Sequence, residues 1–316
     1  MNKLLAIGEA LVDMIPGQVN VGIPEVETFQ PIVGGAPANV CGAFVKLGGE
    51  AEMITQLGDD PFGNKVVAEF DRFGIGKKYV KRTDKANTAL AFVALKEDGN
   101  REFSFYRRPR ADMLMSAEDV KAEWFEGEYA LHFCSVSIGN FPMKDAHKAA
   151  IDYATKNGLL ISFDPNLRKP LWSSMDELYN AVHEFIPMAH VLKISDEELE
   201  FLTGKTNMED ALEQLFVGNV KMIIYTKGSD GAECYTRNAK AFAACEKVKA
   251  IDTTGAGDAF IGSFLYQLFK DGVKADSLED VTAEKMEAYL AFSNKFCGYS
   301  VQRKGAIASY PTINDL

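Results

Sequence analysis

Residues 252–269 run Asp-Thr-Thr-Gly-Ala-Gly-Asp-Ala-Phe-Ile-Gly-Ser-Phe-Leu-Tyr-Gln-Leu-Phe, a glycine-rich turn that leads directly into an apolar segment with helical spacing. The small residues Gly255, Ala256 and Gly257 allow successive backbone N–H groups to point at one spot. The apolar segment predicts a helix over 259–269, whose N-terminus carries a partial positive charge. These features predict an anion hole with the carboxylate of Asp258 at its mouth, where it can accept the proton of a hydroxyl. The alternative from these residues alone is a glycine turn with Asp258 as a helix N-cap.

On both sides of this stretch, short apolar runs alternate with segments of helical period, the pattern of a parallel sheet covered by helices. The predicted strands are 4–8, 51–57, 129–134, 159–163, 190–194 and 220–226. The predicted helices are 38–47, 61–73, 143–156, 175–185, 196–202, 208–216, 259–269 and 282–298. The fold class is therefore α/β, and we expect one domain over residues 1–316.

Residues 26–32, 89–95 and 102–107 break this pattern, because they alternate apolar and polar residues as exposed antiparallel strands do. The sequence Asp98-Gly99-Asn100 between the last two segments is a hairpin signal. These segments are either ordinary edge strands or a small sheet that forms a lid from residues near 10–33 and 86–110. A lid suits a reaction from which water is excluded.

Composition limits the partners and the compartment. The 316 residues include 34 basic and 45 acidic side chains, for a formal charge of −11, and no basic stretch is dense enough for nucleic acid. No apolar run reaches the roughly 20 residues that span a bilayer, and Glu9 and Asp13 interrupt the apolar start of the chain. The five cysteines are scattered and form no C-x-x-C pair, which is typical of reduced thiols. We therefore expect a cytoplasmic protein that binds neither nucleic acid nor membrane.

A second glycine-rich stretch, Gly34-Gly35-Ala36-Pro37-Ala38-Asn39-Val40, is followed by Lys46-Leu47-Gly48 and by Gln56-Leu57-Gly58-Asp59-Asp60-Pro61-Phe62-Gly63. With 252–260, these motifs make the chain resemble the ribokinase-like (PfkB) family of carbohydrate kinases, from Gly8-Glu9 to Lys304-Gly305-Ala306. The resemblance implies a ribokinase-like three-layer sandwich, with a central, mostly parallel sheet and a small β-sheet lid. It also implies transfer of the γ-phosphoryl group of ATP to a sugar hydroxyl.

By the same resemblance, Asp258 is the general base and the backbone of Gly255, Ala256, Gly257 and Asp258 holds the phosphate. The positions that match sugar-binding residues are Asp13, Gly34, Gly35 and Asn39. Carboxylate and amide side chains beside glycine backbone supply the donors and acceptors that a polyol needs.

The resemblance places ATP and metal ions along three further stretches. Ser195-Asp196-Glu197-Glu198 stands where the family has N-x-x-E. Glu198 matches and would hold Mg²⁺ through water, whereas Ser195 replaces the asparagine. The alternative is a helix capping box formed by Ser195 and Glu198, which is compatible with the metal role. The loop from Thr226 to Ala232 would follow the nucleotide, with a hairpin turn as the alternative. The expected ATP-binding residues are Lys193, Ser195, Thr226, Gly228, Gly231, Gly255, Gly257 and Asn294. Asp252 and Thr254 lie where relatives bind a monovalent cation, usually K⁺.

Within the family, the chain looks most similar to bacterial fructokinases, through Gly8-Glu-Ala-Leu-Val-Asp-Met-Ile-Pro16, the Phe103–Leu114 stretch and Ser162-Phe-Asp-Pro-Asn-Leu-Arg168. This similarity places Phe105 and Arg107 over the sugar and lets Asn166 and Arg168 assist the phosphate. The alternatives are a 2-keto-3-deoxygluconate kinase, whose acid substrate could pair with Arg107, Arg108 or Arg110, a riboside kinase, and a non-catalytic relative that senses sugar or nucleotide. Relatives often form homodimers through the lid.

Overall fold

The structure is a computed structural model that describes residues 2–95, 101–106 and 109–316. Its strands are β1 (Leu4–Ile7), β2 (Leu11–Pro16), β3 (Phe29–Gly34), β4 (Ala51–Gly58), β5 (Gly76–Thr83), β6 (Leu90–Leu95), β7 (Arg101–Tyr106), β8 (Ala130–Cys134), β9 (Leu160–Asp164), β10 (Val191–Ser195), β11 (Met222–Thr226), β12 (Ala232–Tyr235) and β13 (Lys240–Ala243). The main sheet has nine strands in the order β13-β12-β11-β10-β9-β8-β1-β4-β5. The seven strands from β11 to β5 in this order pair parallel with one another, whereas β12 pairs antiparallel with both β11 and β13.

Helices cover both faces of this sheet. They are α1 (Ala36–Lys46), α2 (Pro61–Phe73), α3 (Pro142–Lys156), α4 (Met175–Phe185), α5 (Asp196–Thr203), α6 (Leu212–Leu215), α7 (Ala256–Lys270) and α8 (Ala283–Ser300). One apolar core joins the sheet to α1, α2, α7 and α8 through residues such as Phe44 and Phe264. A second core joins the opposite face to α3, α4, α5 and α6 through residues such as Phe163 and Phe185. The predicted three-layer α/β architecture is therefore confirmed.

The helix boundaries follow from local capping chemistry. At the start of α2, the Asp60 carboxylate accepts a hydrogen bond from the Gly63 N–H at 2.8 Å, and the helix ends at Gly74 in the left-handed conformation. At the start of α4, the Ser174 hydroxyl accepts from the Glu177 N–H at 3.0 Å. The predicted bounds 61–73 and 175–185 are those observed, because the sequence marks both ends of α2 with Asp60 and Gly74 and the start of α4 with Ser174.

The predicted small sheet is present and has four strands in the order β3-β2-β6-β7. Strand β2 pairs antiparallel with β3 and parallel with β6, and β6 pairs antiparallel with β7. The sheet is separate from the main sheet, and its strand β3 extends one residue beyond the predicted segment 10–33, to Gly34. The hairpin turn predicted at 98–100 lies outside the described residues.

The structure also differs from the sequence predictions at several elements. Strands β2, β5, β12 and β13 were not predicted. Over 208–216 only Leu212–Leu215 is α-helical, after a 3₁₀ turn at Glu209–Ala211. Strand β5 contains Lys77, Lys78, Lys81 and Arg82, and such a polar edge strand lacks the continuous apolar run of a central parallel strand. Within the described ranges, no helix combines the length and apolar character that a bilayer crossing requires.

Candidate active site

A groove of about 590 Å³ opens at the carboxyl ends of β9, β10 and β11, where ligands bind in open α/β sheets. The N-terminus of α7 forms one wall, and the loop after β9 forms another. Its lining residues are Asn166, Leu167, Arg168, Lys169, Pro170, Lys193, Ser195, Asp196, Glu197, Glu198, Thr226, Gly228, Thr253, Gly255, Ala256, Gly257 and Asp258. The groove therefore brings together the 252–258 stretch and most of the residues predicted to bind ATP.

Helix α7 begins three residues earlier than predicted, at Ala256, because Gly255 serves as its N-cap in a left-handed conformation with φ of 73°. Asp258 is thus the third residue of the helix, and the alternative in which it is the N-cap is wrong. The first N–H groups of a helix have no partner inside it. The Ala256 N–H donates to the Thr253 carbonyl at 3.2 Å, whereas no backbone partner within the described residues accepts from the Gly257 or Asp258 N–H, so these two groups are available to bind an anion.

The position of Gly255 is fixed by the C-terminal part of the chain. The hydroxyl of Tyr310 donates a hydrogen bond to the Gly255 carbonyl at 2.9 Å, and the Ala259 N–H donates to the same carbonyl at 2.8 Å. A side chain at residue 255 would place its Cβ 2.7 Å from the Tyr310 hydroxyl and 2.8 Å from the Ala306 Cβ. Only glycine combines this close approach with the positive φ.

Asp258 is buried in the groove wall, with 5% of its surface exposed. The side-chain amide of Asn39 donates to its Oδ2 at 2.8 Å, and that of Asn166 donates to its Oδ1 at 3.0 Å. Burial raises the pKa of Asp258 to about 6; the Asn39 hydrogen bond lowers it, Asp164 raises it, and the charges of Arg168 and Lys193 lower it. A carboxylate with this pKa is ionised near neutral pH and remains basic enough to accept a proton.

A buried ion pair lies behind Asp258. The Lys193 ammonium donates to the Asp164 carboxylate at 2.8 Å, and both side chains are almost fully buried. Burial alone would lower the pKa of Lys193, but the carboxylates of Asp164 and Glu198 more than offset this effect and hold it above its ordinary value. Lys193 is therefore a permanent positive charge beside Gly257, where an anion would lie.

Glu198 holds the loop after β9. Its Oε1 accepts the Leu167 N–H at 2.7 Å, and its Oε2 accepts the Ser195 N–H at 2.9 Å. The capping-box alternative for Ser195 and Glu198 is thus confirmed. Each carboxylate oxygen keeps a lone pair for a water molecule, so this role leaves a metal role open.

The residues predicted to bind sugar come together at the start of α1. Gly35 is the N-cap of α1 with φ of 113°, and a Cβ there would lie 2.5 Å from the Glu9 carbonyl oxygen. The Asp13 carboxylate on β2 lies against Gly34, 2.5 Å from where a Cβ would be. The Oδ1 atom of Asn39 is buried without a hydrogen-bond partner among the described residues. This corner presents a carboxylate and an amide oxygen as acceptors for hydroxyl groups.

A protein-family model described as pfkB family carbohydrate kinase matches residues 1–313. The chain belongs to the pfkB family of carbohydrate kinases. It is 39% identical to a probable fructokinase-5 of Arabidopsis thaliana over 313 residues, which are 99% of this chain and 95% of that protein. A crystal structure of fructokinase with bound ATP from Xylella fastidiosa superposes with a TM-score of 0.92 at 32% identity, covering 100% of this chain and 97% of the other. The fructokinase from Vibrio cholerae O395, in a form with fructose, ADP and calcium ion bound, gives a TM-score of 0.87 at 32% identity, with 99% and 97% covered.

Of the residues predicted to bind ATP, Lys193, Ser195, Thr226 and Gly228 line the groove with the glycine turn. Gly231 and Asn294 are not among its lining residues. The Asn294 amide donates to the carbonyls of Ala243 and Ala244 at 2.9 and 3.3 Å, so it anchors the end of β13. The ATP-binding roles of Gly231 and Asn294 stay predictions.

The Asp252 carboxylate closes the turn before α7. Its Oδ1 accepts the backbone N–H and the hydroxyl of Thr254 at 2.9 and 2.6 Å, and its Oδ2 accepts the Gly305 N–H at 2.9 Å. The structure thus joins Asp252 and Thr254 to the segment near residue 305. The K⁺ role of these residues stays a prediction.

The arginine-rich end of the small sheet is only partly described. Arg107 and Arg108 lie outside the described residues, and of Phe105 only the backbone, in β7, is described. Arg110 is 1% exposed and its Nε lies 2.8 Å from the Asp112 carboxylate. Arg110 is thus enclosed with its counter-ion, which argues against it as the partner of an acid substrate.

Three residues that support the site were not predicted as site residues. Glu9 accepts from the Ala36 N–H at 3.3 Å and the Ser137 hydroxyl at 2.8 Å, so it anchors the start of α1; burial raises its pKa to about 7. Asp164 pairs with Lys193, and Tyr310 holds Gly255. Glu9 follows the buried strand β1 and Asp164 ends the buried strand β9, and a carboxylate at the end of a strand could have been predicted as a site residue. Nothing in the sequence near Tyr310 indicates its role.

Proposed function

We propose that this protein is an ATP-dependent fructokinase that converts D-fructose and ATP to fructose 6-phosphate and ADP. The observation that carries the proposal is a buried, basic Asp258 on the first turn of α7, which shares the groove with the helix N-terminus and with the cations Lys193 and Arg168. Full-length similarity to fructokinases supports the choice of sugar.

In the proposed reaction, Asp258 accepts the proton of the sugar hydroxyl as its oxygen attacks the γ-phosphorus. The bond to the β,γ-bridging oxygen breaks, and ADP leaves. The N–H groups of Gly257 and Asp258, the dipole of α7, and the side chains of Lys193 and Arg168 stabilise the negative charge on the transferring phosphoryl group.

Mg²⁺ enters the proposal with ATP. No group of three or more His, Cys, Asp or Glu side chains that could hold a metal ion occurs within the ranges that the structure describes. Mg²⁺ usually keeps several waters and binds substrate phosphates with few protein carboxylates, and Glu198 at the groove wall fits such a site. We also propose that a monovalent cation, usually K⁺, binds at Asp252 and Thr254. This is tested by comparing enzymatic activity in K⁺ salts with activity in tetramethylammonium salts.

On the sugar side, we assign Asp13, Gly34, Gly35 and Asn39 to fructose. The Oδ1 of Asn39, which has no hydrogen-bond partner in the described part of the chain, supports this assignment, because a buried acceptor without a donor is costly until a ligand hydroxyl satisfies it. Phe105 and Arg107 complete the sugar pocket in this proposal.

We also propose that the small sheet is a lid and that two copies of the chain pair through it. On one of its faces, Phe92 packs against Phe29 and Tyr106 with ring centroids 5.1 Å apart in each pair. Tyr106 is 68% exposed at the end of this aromatic row. Sedimentation of the wild type and of Tyr106→Lys tests the pairing, with a dimer expected only for the wild type.

The unpaired cysteines support a cytoplasmic location.

The substrate proposal is tested by ADP release with fructose, ribose, 2-keto-3-deoxygluconate and ribosides as acceptors. We expect the highest kcat/KM for fructose. A preference for the keto acid would replace fructokinase by 2-keto-3-deoxygluconate kinase, and a preference for a riboside would indicate a riboside kinase. Binding of sugar and ATP with no ADP release would indicate a non-catalytic sensing protein.

A further inference from the structure

The Asp258 carboxylate is held from both sides by side-chain amides. Asn39 donates to one oxygen at 2.8 Å and Asn166 donates to the other at 3.0 Å. An ionised carboxylate only accepts hydrogen bonds, so each amide must turn its NH₂ group toward Asp258. With one donor on each oxygen, the plane of the carboxylate is fixed.

Asn166 adopts an unusual backbone conformation to reach Asp258. Its φ is 45°, a positive value that a non-glycine residue seldom adopts, although asparagine tolerates it better than most. Such a conformation persists only where the surroundings determine it. The position of Asn166 therefore requires support from its neighbours.

Two buried carboxylates supply this support on the two sides of Asn166. Asp164 Oδ1 accepts the Asn166 N–H at 3.1 Å, and its Oδ2 accepts the Lys193 ammonium at 2.8 Å. Glu198 Oε1 accepts the next N–H along the chain, that of Leu167, at 2.7 Å. The loop is thus pinned immediately before and after the residue whose amide bonds Asp258.

We propose that Asn166 is a positioning residue that, together with Asn39, fixes the Asp258 carboxylate toward the sugar hydroxyl, rather than a ligand of the transferred phosphate. The proposal rests on the proposed function, in which Asp258 is the base. It reassigns the phosphate-assisting role that the sequence resemblance gave to Asn166. Arg168, two residues later in the groove wall, keeps that role.

The two roles of Asn166 predict different kinetics. A phosphate ligand acts on ATP directly, so its loss raises KM for ATP and adds to the loss of Asp258. A residue that acts through Asp258 lowers kcat only while Asp258 is present. A double-mutant cycle between the two residues therefore separates the roles.

The test variant is Asn166→Gly, because glycine adopts φ of 45° without strain and the substitution removes the amide. We expect kcat with fructose to fall roughly 10- to 100-fold, the range for a hydrogen bond to a charged group, with KM for ATP unchanged. In an Asp258→Asn background, we expect the same substitution to leave the residual kcat unchanged. Equal losses in both backgrounds, with a raised KM for ATP, would overturn the proposal.

Two controls keep the test sharp. Asn20→Gly makes the same substitution at the other described non-glycine residue with positive φ, which is 63°. Its thermal unfolding shows how much stability changes when glycine makes the unfolded chain more flexible, an effect that Asn166→Gly shares. Asn166→Asp keeps the size of the side chain but replaces the donor by an acceptor, so its kcat must fall at least as far. Retention of wild-type kcat by Asn166→Asp would also overturn the proposal.

The same cycle, measured on the free energy of unfolding, needs no turnover. We expect a coupling between Asn166 and Asp258 that is clearly different from zero, and its absence would overturn the contact itself. If the wild type phosphorylates no sugar while this coupling is present, the proposed function is wrong and the hydrogen bond between Asn166 and Asp258 remains a structural contact. If fructose is phosphorylated and the coupling is zero, only the positioning role of Asn166 is wrong.

Discussion

In Gly255→Ala, a single methyl group at the candidate site has two unfavourable effects. A non-glycine residue in the left-handed conformation costs roughly 1–2 kcal/mol. The new Cβ would also lie 2.7 Å from the Tyr310 hydroxyl and 2.8 Å from the Ala306 Cβ, and such overpacking costs about 1–3 kcal/mol. Alanine also makes the unfolded chain less flexible, which stabilises the folded protein by about 0.4–1 kcal/mol. We therefore expect the free energy of unfolding to fall by about 2–4 kcal/mol.

Gly272→Ala is the matched control for this substitution. Gly272 follows the other end of α7 with φ of 69°, close to the 73° of Gly255, and a Cβ there meets nothing within 4 Å. Its predicted cost is the conformational part alone, about 1 kcal/mol after the gain from the unfolded chain. The difference between the two variants therefore measures the close contact around the glycine turn.

Urea unfolding gives the two free energies, and ADP release with fructose gives kcat. We expect Gly255→Ala to lose at least about 100-fold in kcat, the scale for loss of one donor to a developing anion, and Gly272→Ala to keep wild-type kcat. Equal stability losses in the two variants, with kcat preserved in Gly255→Ala, would refute the assignment of the turn as a tightly packed anion site.

Three further predictions concern the same site. Because Asp258 must be ionised to act and its pKa is about 6, kcat/KM for fructose should fall about tenfold per unit as pH drops below about 6; a profile flat to pH 5 would contradict the base assignment. Tyr310→Phe removes a 2.9 Å hydrogen bond to Gly255 and should cost about 1 kcal/mol and lower kcat, whereas Tyr129→Phe, which removes a 2.9 Å bond to Val273 beyond the far end of α7, should cost a similar amount and spare kcat. Lys193→Met leaves Asp164 buried without its counter-ion and should cost about 3–5 kcal/mol in urea unfolding, so a loss below about 1 kcal/mol would contradict the buried pair.

The sequence predicted the layers of the fold because buried strands and capped helices leave local signals. Helix α2 carries Asp60, Pro61 and Gly74 at its ends, and its predicted bounds are those observed. The start of α7 was misplaced because a Gly-Ala-Gly run looks like a turn, and only the left-handed conformation of Gly255 shows it to be an N-cap. Strands β12 and β13 were missed because each has only four residues at the antiparallel edge of the sheet.

The candidate site was predictable in its residues but not in their contacts. The 252–258 stretch identified Asp258 and the glycine turn, since both lie in one local motif. The amide contacts could not be derived from spacing, because Asn39 and Asn166 are 219 and 92 residues away from Asp258 along the chain. Tyr310 likewise reaches Gly255 across 55 residues. These contacts follow from the order of strands in the sheet, which brings distant loops to one edge.

Asp258→Asn tests the central claim most directly, because it keeps the shape of the side chain and removes its ability to accept a proton at neutral pH. We expect kcat for fructose phosphorylation to fall by about 10²–10⁴-fold, the range for loss of a general base, while calorimetry shows that ATP binding is retained. Wild-type kcat in this variant would contradict the account. So would a loss of activity that is matched by a loss of ATP binding, since Asp258 would then be a nucleotide ligand and not the base.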